Sequence, residues 1–174
     1  MTKLLITAIG GDIAQGVAAI IRETYATWRL IGIDIHDRHG GALFVDKLYR
    51  APSASNADYD DWLNDLISKE KIDFCIPMSE AELLHFAQQR QEEIACAKLV
   101  MPNLKAIEIG CDKLKTSRFL DSIDCPRPWT IPAEECDDAT RFPCIFKLRR
   151  SAGSKSIFVC NNLKELVFYR ERYP

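Results

Sequence analysis

The sequence predicts an α/β protein: a parallel sheet alternating with helices up to about residue 102, then a smaller unit built on hairpin-like strands. Three observations carry this expectation. Near-continuous apolar runs at Lys3 to Ile9, Trp28 to Ile35 and Ile72 to Pro77 read as strands buried on both faces, as in parallel sheets. Stretches with helical spacing, Ile13 to Ile21 and Tyr59 to Ile67, stand between them. After Pro102 the composition shifts, and apolar residues alternate over Cys144 to Leu148 and Ser156 to Cys160.

Taken in order, Lys3 to Ile9 forms the first strand, Gly10-Gly11 the turn, and Ile13 to Ile21 a helix. Trp28 to Ile35 is the second strand, and Ala42 to Tyr49 holds a short third. Tyr59 to Ile67 follows several acids as a helix with Trp62, Leu63, Leu66 and Ile67 on one face. Ile72 to Pro77 is a strand, Glu80 to Glu93 a helix and Lys98 to Met101 a short strand. An amphipathic segment, Leu104 to Ile123, breaks at Gly110-Cys111, and a proline-rich link, Cys125 to Pro128, leads to a strand at Trp129 to Ile131. Asn162 caps a last helix, with Glu165 three residues on as in a capping box. The expected domains are residues 1–105 and 106–174.

Bulk composition narrows the function. The chain has 174 residues, 47% hydrophobic and 28% charged, with a formal net charge of -2. It has no basic field and no interleaving of Lys/Arg with aromatics, so no nucleic acid is expected as a partner. No apolar run approaches a membrane span, and Gly10-Gly11-Asp12 cuts short the run after Lys3 that would otherwise suggest a leader. The seven cysteines show no Cys-x-x-Cys pair, and they are expected to be reduced, mostly buried small hydrophobes in a cytoplasmic protein. His36, His39 and His85 share no spacing with one another or with a nucleophile, so neither a metal site nor a triad is expected, and surface or loop positions suit them. Trp62 and Phe86 are expected in the core.

The first turn invites a dinucleotide reading with Asp34 as the ribose-binding acid. The glycine pattern would need glycine at Ala8 and Ile13, and the third glycine matters because helix and strand pack closely there. Glu80 and Glu82 stand where a strand gives way to a helix, a place where ligands gather in open α/β sheets and where acids also simply favour a helix N-terminus.

The densest chemistry lies near the C-terminus. Lys147 ends an apolar strand, where a buried or half-buried cation needs a partner: an acid such as Glu134, Glu135, Asp137 or Asp138, or a phosphate. The small residues Ser151, Gly153 and Ser154 beside it let backbone N–H groups approach an anion, which favours the phosphate.

Several motifs, in order, resemble the ATP-grasp superfamily, most of all the large subunit of carbamoyl-phosphate synthase. They are Ile6-Thr7-Ala8-Ile9-Gly10-Gly11-Asp12-Ile13-Ala14-Gln15-Gly16, then Ile72 to Pro77 with Glu82-Leu83, Cys111-Asp112-Lys113 with Phe119-Leu120, Pro128-Trp129-Thr130, and Phe142-Pro143-Cys144-Ile145-Phe146-Lys147. The resemblance implies a Rossmann-like pre-ATP-grasp domain with a parallel sheet, followed by the small first lobe of an ATP-grasp domain. It implies that Lys113 and Lys147 contact ATP phosphates, with the loop containing Ser151, Gly153 and Ser154 folding over them. Gly10, Gly11, Asp12, Glu80 and Glu82 match places where some members meet the acceptor substrate. The implied activity is ATP-dependent carboxylate–amine ligation through an acyl phosphate, with ATP and a small carboxylate or amine as ligands. Two departures stand out: Leu148 follows Lys147 where the family has proline, and Gly153 is the sole glycine of its loop.

In the family a second lobe supplies the adenine-side contacts and the Mg²⁺ ligands. None of these follows Pro174, so the chain is expected to be an N-terminal portion, inactive until a downstream lobe joins it in the same or a separate chain. A homodimer is among the assemblies open to the chain. Two other readings stay open: a nucleotide- or dinucleotide-binding module without ligase chemistry, and a structural half completed by a partner.

Overall fold

The structure, a computed structural model, describes residues 1–137, 140–151 and 156–173. The chain divides into two compact units, Met1–Ile107 and Glu108–Pro174.

The first unit is a six-stranded, mostly parallel sheet. Its strands are β1 (Lys3–Ile6), β2 (Arg29–Asp34), β3 (Lys47–Arg50), β4 (Phe74–Ile76), β5 (Glu93–Ile94) and β6 (Ala97–Leu99). The order across the sheet is β3-β2-β1-β4-β6-β5, with every pair parallel except β5 against β6. The central strands are buried on both faces because helices cover both. On one face α1 (Asp12–Thr24) packs Ala14 and Ala18 against Leu4, Ile6 and Leu30. On the other, α2 (Tyr59–Glu70) and α3 (Glu80–Gln88) bring Leu63, Ile67 and Phe86 onto Leu5, Ile31 and Ile33. Phe86 is fully buried and Trp62 packs at the margin of this cluster.

Two elements of this unit are shorter than the stretches that predict them. Residues Gly40–Leu43 form a 3₁₀ turn, so β3 starts only at Lys47. Gly41 accounts for this, since its backbone passes so close to the Ile9 carbonyl that no side chain fits there. Helix α3 ends at Gln88 rather than near Glu93, because Arg90 turns into the left-handed region at φ 54 and the chain enters the β5–β6 hairpin.

The second unit holds α4's last residues and α5 (Lys113–Ser122), a two-stranded antiparallel sheet of β7 (Cys144–Lys147) and β8 (Ile157–Cys160), and α6 (Leu163–Arg172); α4 spans Leu104–Gly110. Trp129 to Ile131 is not a strand: Pro128 and Pro132 flank it and withhold two of the N–H donors a ladder needs. Helix α6 starts as expected, with Asn162 Oδ1 accepting from the Glu165 amide at 3.0 Å. The return bond differs from a capping box, because Glu165 Oε2 accepts from the Asn161 amide, not from that of Asn162. Cys144, Phe146, Cys160 and Leu166 form the core, and Phe158 stacks on Tyr169 with ring centroids 4.2 Å apart.

The cysteines correct one expectation. Only Cys75, Cys144 and Cys160 of the seven are buried, while Cys96 and Cys125 are exposed and Cys111 and Cys136 intermediate. The buried ones lie on strands; the others lie in turns or irregular segments that offer no core to enter. No helix among the described residues is long and apolar enough to cross a membrane.

Candidate functional site

In the second unit the alternation of β7 and β8 sorts side chains onto two faces. Cys144, Phe146, Phe158 and Cys160 turn toward α6, while Ile145, Lys147, Ile157 and Val159 turn away from it. The outward face is uncovered: Ile145 is 64% exposed and Val159 59%. Lys147 stands directly opposite Ile157 in the register. Lys147 is exposed and makes no ion pair with any described residue, which corrects the expectation of a half-buried cation. Water solvates the ammonium, so it needs no acidic partner.

Lys113 and Ser151 meet. The Lys113 ammonium donates to the Ser151 carbonyl at 2.7 Å and lies 3.3 Å from its hydroxyl. The Lys113 amide also donates to the Arg149 carbonyl at 3.1 Å, so the start of α5 is joined to the segment that leaves β7. Gly153 and Ser154 lie outside the described residues, as does Asp138.

Among the described residues of this unit, Asp112 is the most deeply buried charge. It caps α5, and Arg149 Nε donates to both of its oxygens, at 2.8 and 2.9 Å. The Arg149 guanidinium, helped by the amides of Lys115 and Leu114, pulls its pKa down to about 2 although burial opposes this. In the sequence Arg149 stands beside Arg150 two residues after Lys147, while its partner lies 37 residues away, and no local pattern announces the pair.

In the first unit, Gly10, Gly11, Asp12, Ser79 and Glu82 line one crevice of about 500 Å³ with Asp34, His36 and Pro52. It sits past the carboxyl ends of β1, β2 and β4, where the strand order reverses and open α/β sheets bind ligands. Asp12 and Gly11 are exposed, and Glu80, also exposed, is the first residue of α3. Glu82 is different: it is buried, and its oxygens accept from the hydroxyls of Thr7 (2.5 Å), Tyr59 (2.6 Å) and Ser79 (2.6 Å). Burial and the nearby Glu82 charge push the Tyr59 phenol far up. Thr7 passes the network on, accepting from the Met78 amide at 2.9 Å. Glu82 thus ties β1, α2 and the β4–α3 turn together as the crevice wall.

The histidines lie in one loop and on one helix. His36 and His39 lie in the loop after β2, where His39 Nδ1 accepts from the Gly41 amide, and His85 on α3 pairs with Asp60 at 2.7 Å. Among the described residues no group of three or more His, Cys, Asp or Glu side chains is placed to hold a metal ion.

Comparison with known proteins agrees with this architecture. The chain is similar to N5-carboxyaminoimidazole ribonucleotide synthetase from Thermotoga maritima, with TM-score 0.66 and 20% identity over 97% of this chain and 43% of that one. It is similar to the biotin carboxylase domain of 2-oxoglutarate carboxylase from Hydrogenobacter thermophilus (TM-score 0.63, 22% identity, 99% of this chain and 40% of that one). A third likeness is to L-amino acid ligase from Bacillus licheniformis (TM-score 0.63, 14% identity, 98% of this chain and 42% of that one). At these identities the likeness establishes the fold, and the chain spans about two fifths of the length of these structures. No curated protein matches the chain. Residues 4–100 match the model of a family described as the PylC-like, N-terminal domain.

Proposed function

The chain belongs to the family of PylC-like N-terminal domains, and on that premise we propose that it supplies the first part of an ATP-dependent carboxylate–amine ligase of the ATP-grasp type. Residues 1–105 would be the pre-ATP-grasp domain and residues 106–174 the first lobe of the nucleotide site. The observation that carries this reading is the outward face of β7–β8, where Lys147 shares an uncovered apolar surface with Ile145, Ile157 and Val159. An apolar face beside a solvated cation suits a nucleotide: one side of the base would lie against the isoleucines and valine, the downstream lobe would cover the other side, and the ammonium would meet a phosphate. Lys113, drawn to Ser151, offers a second ammonium near the end of the same strand. The Hydrogenobacter thermophilus structure contains MgADP and bicarbonate, which supports a nucleotide and a small carboxylate-like acid as ligands here.

In the proposed reaction the γ-phosphoryl group of ATP passes to a carboxylate, and an amine then displaces phosphate from the acyl phosphate. Lys113 and Lys147 would hold the phosphates and offset charge as it shifts during transfer, with Ser151, Gly153 and Ser154 closing over them. The Mg²⁺ that accompanies ATP would take its protein ligands from the downstream lobe. The crevice of the first unit would receive the acceptor substrate, with Gly10, Gly11, Asp12 and Glu80 reachable from solvent and Glu82 in its wall. The motif order supports a finer likeness to the carbamoyl-phosphate synthase large subunit. An odd number of cysteines with no Cys-x-x-Cys pair accords with a cytoplasmic setting, and the dimer named for the Hydrogenobacter thermophilus structure suggests a second copy as a partner.

The test is ADP release by these residues joined to the C-terminal part that the similar structures carry, with candidate carboxylates and amines supplied. Lys147→Ala should lower the rate on the order of a hundredfold to a thousandfold, and Lys113→Ala by less. Unchanged turnover in a folded Lys147→Ala protein would reject the reading.

A further inference from the structure

Asp112 performs two tasks with one carboxylate. It accepts from the amides of Leu114 and Lys115, both at 3.1 Å, and so satisfies the open first turn of α5. It also receives Arg149 on both oxygens and has Arg150 Nη2 at 3.8 Å. The Asp112 side chain is 1% exposed and that of Arg149 55%, so a buried anchor grips an arginine reaching in from the surface.

The grip has a geometric consequence. Lys113 follows Asp112 directly, and Arg149 lies midway between Lys147 and Ser151 along the chain. Holding Arg149 on Asp112 therefore fixes the exit of β7 against the start of α5. The Lys113 amide on the Arg149 carbonyl and the Lys113 ammonium on the Ser151 carbonyl repeat the same junction. Simple electrostatics argues against an acid here, because a carboxylate beside a polyphosphate repels it. A gain in geometry must offset that repulsion.

We propose that Asp112 is a positioning residue of the nucleotide site: by tying Arg149 to the capped end of α5 it sets the spacing at which Lys113 and Lys147 engage one polyphosphate. The proposal rests on the nucleotide reading above. Neither Asp112 nor Arg149 needs to touch the ligand. Both act through the two lysines.

MgATP titrated into the isotopically labelled chain, followed by amide shifts at Lys113 and Lys147, tests it. The unaltered chain should show saturable shifts with a dissociation constant on the order of a millimolar. Asp112→Asn keeps a good helix cap and gives up only the charge that holds Arg149. Loss of a negative charge alone would tighten binding, whereas loss of positioning should weaken it about tenfold. Arg149→Lys, which keeps the positive charge but lacks the planar Nε–H donor, should weaken it similarly and decides the matter if Asp112→Asn does not fold. The double variant should bind no worse than the weaker single one, since the two residues act as a unit. Equal or tighter binding in a folded single variant, or additive losses in the double, would overturn the proposal while leaving the nucleotide site standing. No saturable shift in the unaltered chain would overturn both.

Discussion

Asp34 is already occupied by the turn it faces: its Oδ2 accepts from the Gly10 amide and its Oδ1 from the His36 amide, both at 2.9 Å. A ribose would have to compete for the oxygens that hold the crevice together. Ile13, where a dinucleotide turn needs its third glycine, stands 72% exposed at the start of α1. NAD(H) should therefore give no measurable heat on calorimetric titration. Micromolar binding that weakens in Asp34→Ala would restore the dinucleotide reading.

The same turn sets a stability prediction. A Cβ at Gly41 would collide with the Ile9 carbonyl and come within 2.8 Å of His39 Nδ1. Gly41→Ala should destabilise the first unit by about 1–3 kcal/mol, the usual cost of overpacking where backbone must shift. Thermal unfolding followed by circular dichroism reads this as a Tm lower by several degrees. Gly16→Ala is the control, because a Cβ there meets nothing and alanine favours a helix. Equal Tm values for the two variants would contradict the packing described for Gly41.

Acid should unfold the second unit by way of Asp112. Its carboxyl titrates at about 2 when folded against 3.8 ordinarily, so the folded state binds its proton later than the unfolded chain. The stability from its pairing is complete above about pH 4 and is lost as pH falls toward 2. Arg149→Gln should remove most of that contribution and shift the loss of α5 amide signals to higher pH. An acid transition unchanged by Arg149→Gln would show that the helix amides alone depress the group.

How far the sequence discloses this molecule depends on the range of each signal. Strands β1 and β2 are legible because Leu4 to Ile6 and Leu30 to Ile33 sit in near-continuous apolar runs, the first of them closed by the Gly10-Gly11 turn. Strand β6 matches the short strand expected at Lys98 to Met101, but β5 is not legible, since two residues are too few to show a period. Lys147 is legible as a strand-end cation, and its exposure follows from the same alternation that places Ile145 outward. The Arg149 grip on Asp112 and the three hydroxyls around Glu82 are not legible. They join segments far apart in the chain, and the residue types alone fit many other partners.

Isoleucine methyl groups make the central claim directly measurable. Ile145 and Ile157 lie on the outward face of β7–β8, while Ile13, Ile33 and Ile35 line the crevice of the first unit. Titrating MgATP into the chain labelled at isoleucine δ1-methyls should shift Ile145 and Ile157 in a saturable way and leave the crevice methyls unmoved. In Lys147→Ala the Ile145 and Ile157 shifts should shrink. Saturable shifts confined to Ile13, Ile33 and Ile35 would place the nucleotide in the crevice and contradict the account.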